Sequence, residues 1–178
     1  MNTKILLPLV TILLTVLPVC AEEYHRTATP LPDLKMEQSG LAFKLIEGYQ
    51  DYRIVATHFR TDKNELRYVL ANAMAFNALT AGKRPLPEGS KIVKIGWSVK
   101  TTERFPAALE ADELKRVEYM YKESSRFNRN GDHWGYARFV KNKGRFESWK
   151  GDTTECAACH SVMSDNDYLF TTPQSLSE

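Results

Sequence analysis

The chain carries Cys156-Ala157-Ala158-Cys159-His160 near its C-terminal end. Two thiols three positions apart share one turn of a helix, where each can form a thioether to a vinyl group of the same porphyrin. The next residue, His160, then projects a neutral imidazole toward the iron, where it is a good axial donor. Ala157 and Ala158 are small and let the backbone lie close to the ring edge. Other uses of the pair fit less well. A redox Cys-x-x-Cys belongs with a βαβ order that is missing here. A zinc site needs about four ligands, and His25, His58 and His133 show no ligand spacing to the motif. The pattern predicts a single covalently bound haem c, held by Cys156 and Cys159 with His160 on the metal.

The opposite side of the iron has several candidates: Met36, Met74, Met120 and Met163, or one of the three other histidines. Methionines at apolar-patterned positions are ordinarily core filler, and a lone histidine is ordinarily a structural hydrogen-bonder. An open sixth position would mean catalysis or gas binding. A filled one would mean electron transfer.

Residues 1–21 read as an export signal: Lys4, an apolar run from Ile5 to Leu17, the breaker Pro18, then the small Val19 and Ala21 before Glu22. The run is shorter than a membrane span of about 20 residues, so no span is expected in the mature chain. Cleavage after Ala21 is expected. Lipidation at Cys20 is the rival, disfavoured by Val19, where a Gly, Ala or Ser is usual. The expected location is the periplasm, an oxidising setting. With 24 basic and 22 acidic residues in 178, the chain lacks the concentrated positive charge of a nucleic-acid binder. Its 43% hydrophobic and 26% charged content is that of a globular domain.

Residues 22–33, with Pro30 and Pro32, read as a flexible lead-in, and 34–178 as one domain. Strand alternation runs through Tyr52–Phe59, through Leu66–Ala71, and through Lys91–Lys100, where Val93, Ile95, Trp97 and Val99 share one face and Ile92, Lys94 and Ser98 the other. Asn72 can cap a short helix ending at Gly82; a longer helix over 64–81 fits the same residues. Pro85, Pro87 and Gly89 make a turn. Pro106–Lys115, rich in Ala, Leu, Glu and Lys, is expected to be helical. Arg116–Lys122 and Trp134–Val140 alternate again, with turns at Asn128–Gly131 and Asn142–Gly144. The sum is an α+β class, mainly antiparallel β-sheet with short helices.

Around Thr154–His160 the sequence resembles the cytochrome P-460 family and its relatives, the cytochromes c′-beta. The similarity continues in Tyr49–Arg53, Glu65-Leu66-Arg67, Gly89–Lys94, Val117-Glu118, Ser125–Phe127, His133-Trp134 and Asp167–Thr171, in the family's order over roughly 45–172. The resemblance implies an antiparallel β fold packed against a c-type haem, usually as a homodimer. In that family a lysine is bonded to the porphyrin and the protein oxidises hydroxylamine. By position the lysine is Lys94, with Glu118 the distal acid/base and Arg67 a pocket cation. The strand pattern agrees in setting Lys94 and Glu118 apart from their apolar neighbours.

Three functions follow as expectations. One is hydroxylamine oxidation at an open iron site, with electrons passing to a redox partner such as a small cytochrome. Another is NO or CO binding without turnover, behind an apolar wall for which Phe127, Phe139, Phe146 and Trp149 are candidates. The last is simple electron transfer.

Overall fold

The computed structural model describes residues 30–128 and 131–173. The expected export signal over 1–21, with Cys20, lies outside them, as do His25, the lead-in up to residue 29 and the centre of the 128–131 turn. Six strands form one antiparallel sheet in sequence order: β1 (Arg53–Arg60), β2 (Glu65–Ala71), β3 (Lys91–Thr102), β4 (Phe105–Lys122), β5 (Trp134–Asn142) and β6 (Arg145–Ser148). Two short helices, α1 (Ala73–Thr80) and α2 (Thr154–His160), complete it with a few 3₁₀ turns. The α+β, mainly β class expected from the alternation is the class observed.

Both faces of the sheet are covered, so the strands divide their side chains by parity. On one face Leu70, Val93, Ile95, Val117, Tyr119 and Phe139 meet the N-terminal segment through Leu31, Met36, Leu41, Phe43 and Ile46. The rings of Phe43 and Phe139 stack at 4.3 Å. On the other face Val69, Ala71, Ile92, Met120 and Tyr136 meet α1, Leu86, Ala157 and Leu169. β1 departs from strict alternation. A register shift between Ile54 and Ala56 turns the adjacent Val55 and Ala56 inward and leaves Ile54 exposed, the effect of a bulge on an edge strand.

The two readings of 64–81 are resolved in favour of strand then helix, because Glu65–Ala71 is paired on both sides, by β1 and β3. Asn72 caps α1 by accepting from the Ala75 N–H at 3.1 Å. Gly82, at φ 64°, ends it in a Schellman arrangement: Gly82 N–H donates to Leu79 O and Lys83 N–H to Ala78 O.

Pro106–Lys115 is not helical. It is the first part of β4, paired with β3 through Leu109↔Thr101, Glu110↔Lys100 and Ala111↔Val99. Its helix-favouring composition is overridden by the hairpin that closes at Thr102↔Phe105, since cross-strand pairing outweighs propensities of a few tenths of a kcal/mol. This hairpin runs beyond its neighbours, because β2 reaches only Ser98 and β5 begins its pairing at Arg116.

The Asn72 side chain also accepts from the Lys91 N–H and donates to Gly89 O, both at 3.1 Å, so it ties α1 to the start of β3. Asn72→Ala should cost about 1–2 kcal/mol. The cost should appear as a lower urea midpoint at unchanged slope in equilibrium unfolding of the haem-loaded protein.

Candidate haem site

Helix α2 begins where Asp152 Oδ1 accepts from the Thr154 N–H at 2.8 Å. Its anchor is Ala157, which is buried against the same core cluster as Met120 and Leu169. With Ala157 turned to the core, Cys156, Cys159 and His160 line a cavity of about 660 Å³ between α2, the closing segment and the sheet. That volume lies in the range of cofactor sites. Cys156 is half-buried, Cys159 is exposed, and both thiols are free.

His160 is oriented from behind. Its Nδ1 lies 2.6 Å from the backbone oxygen of Tyr168. A carbonyl oxygen only accepts, so Nδ1 carries the proton and Nε2 keeps its lone pair. Burial pushes the imidazolium below the ordinary histidine range, against the opposing pull of that hydrogen bond, and so favours the neutral ring. Tyr136 and Phe170 flank the ring at 5.3 and 5.1 Å between centroids. Two thiols on one helical turn beside an imidazole with a free Nε2 form a donor set that fits a c-type haem.

The sheet supplies the facing wall as cross-strand rows. One row, Ala71–Ile92–Met120–Tyr136, is largely apolar. The next is Val69–Lys94–Glu118–Arg138, and the one after it is Arg67–Gly96–Arg116. In the charged row Glu118 accepts from Lys94 Nζ at 2.9 Å, Arg138 Nε at 2.6 Å and Arg116 Nε at 3.4 Å. Glu65 lies behind it and accepts from Arg116 at 2.7 Å and from Arg67. Gly96 has to be glycine for this: a Cβ there would stand 2.9 Å from Glu65 Oε1. Burial acts to raise the Glu118 carboxyl, but the Lys94 ammonium, then Arg138 and Arg116, outweigh it and hold it down at about 2. Four cations share two carboxylates, so the network keeps a positive surplus inside the cavity.

The structure thus brings Lys94, Glu118 and Arg67 into the cavity that Cys156, Cys159 and His160 line. Of the candidate sixth ligands, Met120 and His58 line it as well. Met36 is fully buried on the far side of the sheet, and Met74 is exposed on α1. Met163 and His133 are not among the lining residues. The expected aromatic wall is mostly elsewhere. Phe139 and Phe146 pack on Phe43 on the opposite face, because their parity along β5 and β6 turns them away, and Phe127 lies over Gly135. Trp149 alone lines the cavity, with the Arg138 guanidinium 4.2 Å above its ring. The apolar wall is made instead by Val69, Ile92, Met120 and Leu169.

Sequence reading passed over Arg138 and Arg116, and took Glu65 only as part of the Glu65-Leu66-Arg67 resemblance, with no role of its own. Arg138 had a signal: it shares the parity of Tyr136 in β5, the strand that pairs with Glu118's strand. The meeting of Glu65 with Arg116 had none, since it depends on the absence of a side chain at Gly96.

A sheet wall with a charged row, set against a Cys-x-x-Cys-His helix, defines a haem-binding domain. The family model for cytochrome P-460 matches residues 46–171. The chain belongs to the cytochrome P-460 family, and haem is the cofactor that membership implies. No curated protein matches this chain. Among the described residues no helix is long and apolar enough to cross a membrane.

Glu118 ties acid stability to the site. With Lys94 unlinked, the Glu118 carboxyl lies near 2 in the folded chain against an ordinary 4.5, so its contribution is present above about pH 4.5 and is lost as pH falls toward 2. The Glu118 share of that loss should be about 3 kcal/mol. Glu118→Gln should flatten the unfolding free energy over this window. It should also lower stability at neutral pH, because Lys94 and Arg138 lose their partner. Chemical unfolding at a series of pH values measures both effects.

Proposed function

We propose that this chain is an exported, periplasmic mono-haem c-type cytochrome that oxidises hydroxylamine and passes electrons to an external acceptor. The reading rests on one observation: Lys94, Glu118 and Arg138 form a paired row on the wall of the cavity that Cys156, Cys159 and His160 also line. When bound, the haem supplies an open iron site for the hydroxylamine nitrogen and a route for its electrons.

The protein's own groups then have distinct tasks. Cys156 and Cys159 would fasten the porphyrin through thioethers, and His160 would ligate the metal through Nε2. Arg67, fixed through Nε to Glu65, serves as a cation of the cavity wall. Glu118 takes the protons that must leave as hydroxylamine is oxidised. The Lys94 ammonium facing it holds that carboxylate at about 2, too low for an efficient base at neutral pH. A Lys94 joined to the porphyrin, as its family position implies, would no longer present that ammonium. Burial of Glu118 would then be opposed by Arg138 and Arg116 alone, and its carboxyl would move upward, in the direction a base requires. Lys94 in this reading both tunes the macrocycle and releases the base.

A second reading, NO or CO binding without turnover, is favoured by the same clamp on Glu118 if Lys94 stays unlinked, together with the apolar Val69, Ile92, Met120 and Leu169 on the wall.

Steady-state assays with hydroxylamine and an artificial acceptor separate the two. Wild-type holoprotein should turn over, and Glu118→Gln should fall by a factor of about 10² to 10⁴ in kcat. Absence of turnover by fully haem-loaded wild type would sink the first reading. The haem peptide should carry a third covalent bond in mass spectrometry, with a main absorption band shifted to the red. Lys94→Ala should lose both. A peptide with two thioethers alone, in protein that still binds CO, supports the gas-binding reading.

A further inference from the structure

Behind His160 lies an ion pair that the reaction does not use. Lys122, at the end of β4, reaches Asp167 of the closing segment at 2.5 Å to Oδ1 and 2.7 Å to Oδ2. The two side chains are only 5% and 6% exposed. The same carboxylate accepts from the Leu86 N–H at 2.6 Å and from Trp134 Nε1 at 3.3 Å. Donors from the end of β4, the start of β5 and the loop before β3 thus converge on one acceptor. A buried pair of this kind is rarely a net source of stability compared with apolar packing, so its role lies in what it holds in place.

Asp167 and Tyr168 both adopt left-handed backbone, at φ 53° and 64°, and neither is glycine. L-residues avoid this region, so something outside the turn must hold it. The turn carries the chain back toward the helix it has just left, and the Tyr168 carbonyl meets His160 Nδ1 at 2.6 Å. A rotation of this peptide would remove the acceptor and free the imidazole to turn or change tautomer. Asn166 braces the turn from the other side, accepting from Arg84 Nε at 2.9 Å and donating to Leu169 O at 2.6 Å.

We propose that Lys122 and Asp167 are positioning residues for the axial histidine: the buried pair locks the Asp167–Tyr168 turn so that the Tyr168 carbonyl keeps the proton on Nδ1 and strengthens Nε2 as a donor. This rests on the reading of His160 as the iron ligand, and it is independent of hydroxylamine turnover. A partner that accepts from the ring nitrogen away from the metal raises ligand basicity. A stronger donor favours the ferric state and lowers the reduction potential.

The test uses haem-loaded wild type, Asp167→Asn, and the charge-neutral double variant Lys122→Gln/Asp167→Asn, which keeps hydrogen-bonding groups without a buried lone charge. Two readouts are taken: the iron–histidine stretching band of the ferrous form by resonance Raman, and the reduction potential. Asp167→Asn should shift the band to lower frequency and the potential to more positive values, and the double variant should recover part of each shift. If Asp167→Asn fails to accumulate, the double variant should still show both shifts against wild type. Variants whose thermal midpoint falls while band and potential stay at wild-type values overturn the proposal and leave the pair as structural only. A wild-type ferrous form without an iron–histidine band overturns the site reading itself, and this proposal with it.

Discussion

Val93 and Lys94 are neighbours in β3 and point to opposite sides of the sheet, and both the core and the cavity are consequences of that alternation. Val93 is fully buried under the N-terminal segment. Lys94 faces the helix that carries the paired cysteines. The same division runs through β4, where Val117 and Tyr119 join the core while Glu118 faces the cavity. A slip of one residue in either pairing would exchange these sets. The burial of Val93, Ile95, Val117 and Phe139 on one face therefore locks the charged row on the other. Packing on one face thus sets the register of the charged groups that line the cavity on the other.

The charged row is costly to bury and is built so that the cost is shared. Glu118 meets three cations and Glu65 two, with Arg116 common to both. Arginine suits this work because its planar fork reaches two acceptors at once and keeps its charge when desolvated. Trp149 supports Arg138 through the face of its ring. Gly96 leaves the gap into which Glu65 fits. The network has more positive than negative charge, an arrangement that suits a carboxylate-bearing cofactor or a lone-pair donor ligand better than a cation.

The helix bearing the motif is short, and isolated helices of that length are unstable in water. Its order comes from what surrounds it. Ala157 seats it on the core, Asp152 satisfies its first turn, and the closing segment folds back over it through the buried Lys122–Asp167 pair. His160 is consequently held at two levels: by the helix that carries it and by a turn anchored to the end of β4 and the start of β5. Such support matters for a metal ligand, whose donor strength depends on the partner of its other ring nitrogen.

Much of this could be read from the chain alone. The cysteine spacing and the histidine that follows are consequences of helical geometry, local by nature. The alternation of β3 and of Arg116–Lys122 placed Lys94 and Glu118 on the polar sides of their strands without any knowledge of the partners, because a period of two is a property of each strand by itself. The Asn72 cap and the Gly82 stop were equally local. Three things needed the tertiary structure. Residues 106–115 are strand because a hairpin partner supplies backbone hydrogen bonds that composition does not encode. The bulge at Val55-Ala56 depends on how an edge strand wraps the core. Arg138, Arg116 and Glu65 join Glu118 only through cross-strand register, and Asp167 reaches Lys122 across 45 positions of sequence. Spacing and alternation act within one turn or one strand and so are written in adjacent residues, whereas electrostatic partnership and backbone pairing act between segments that only the folded chain brings together.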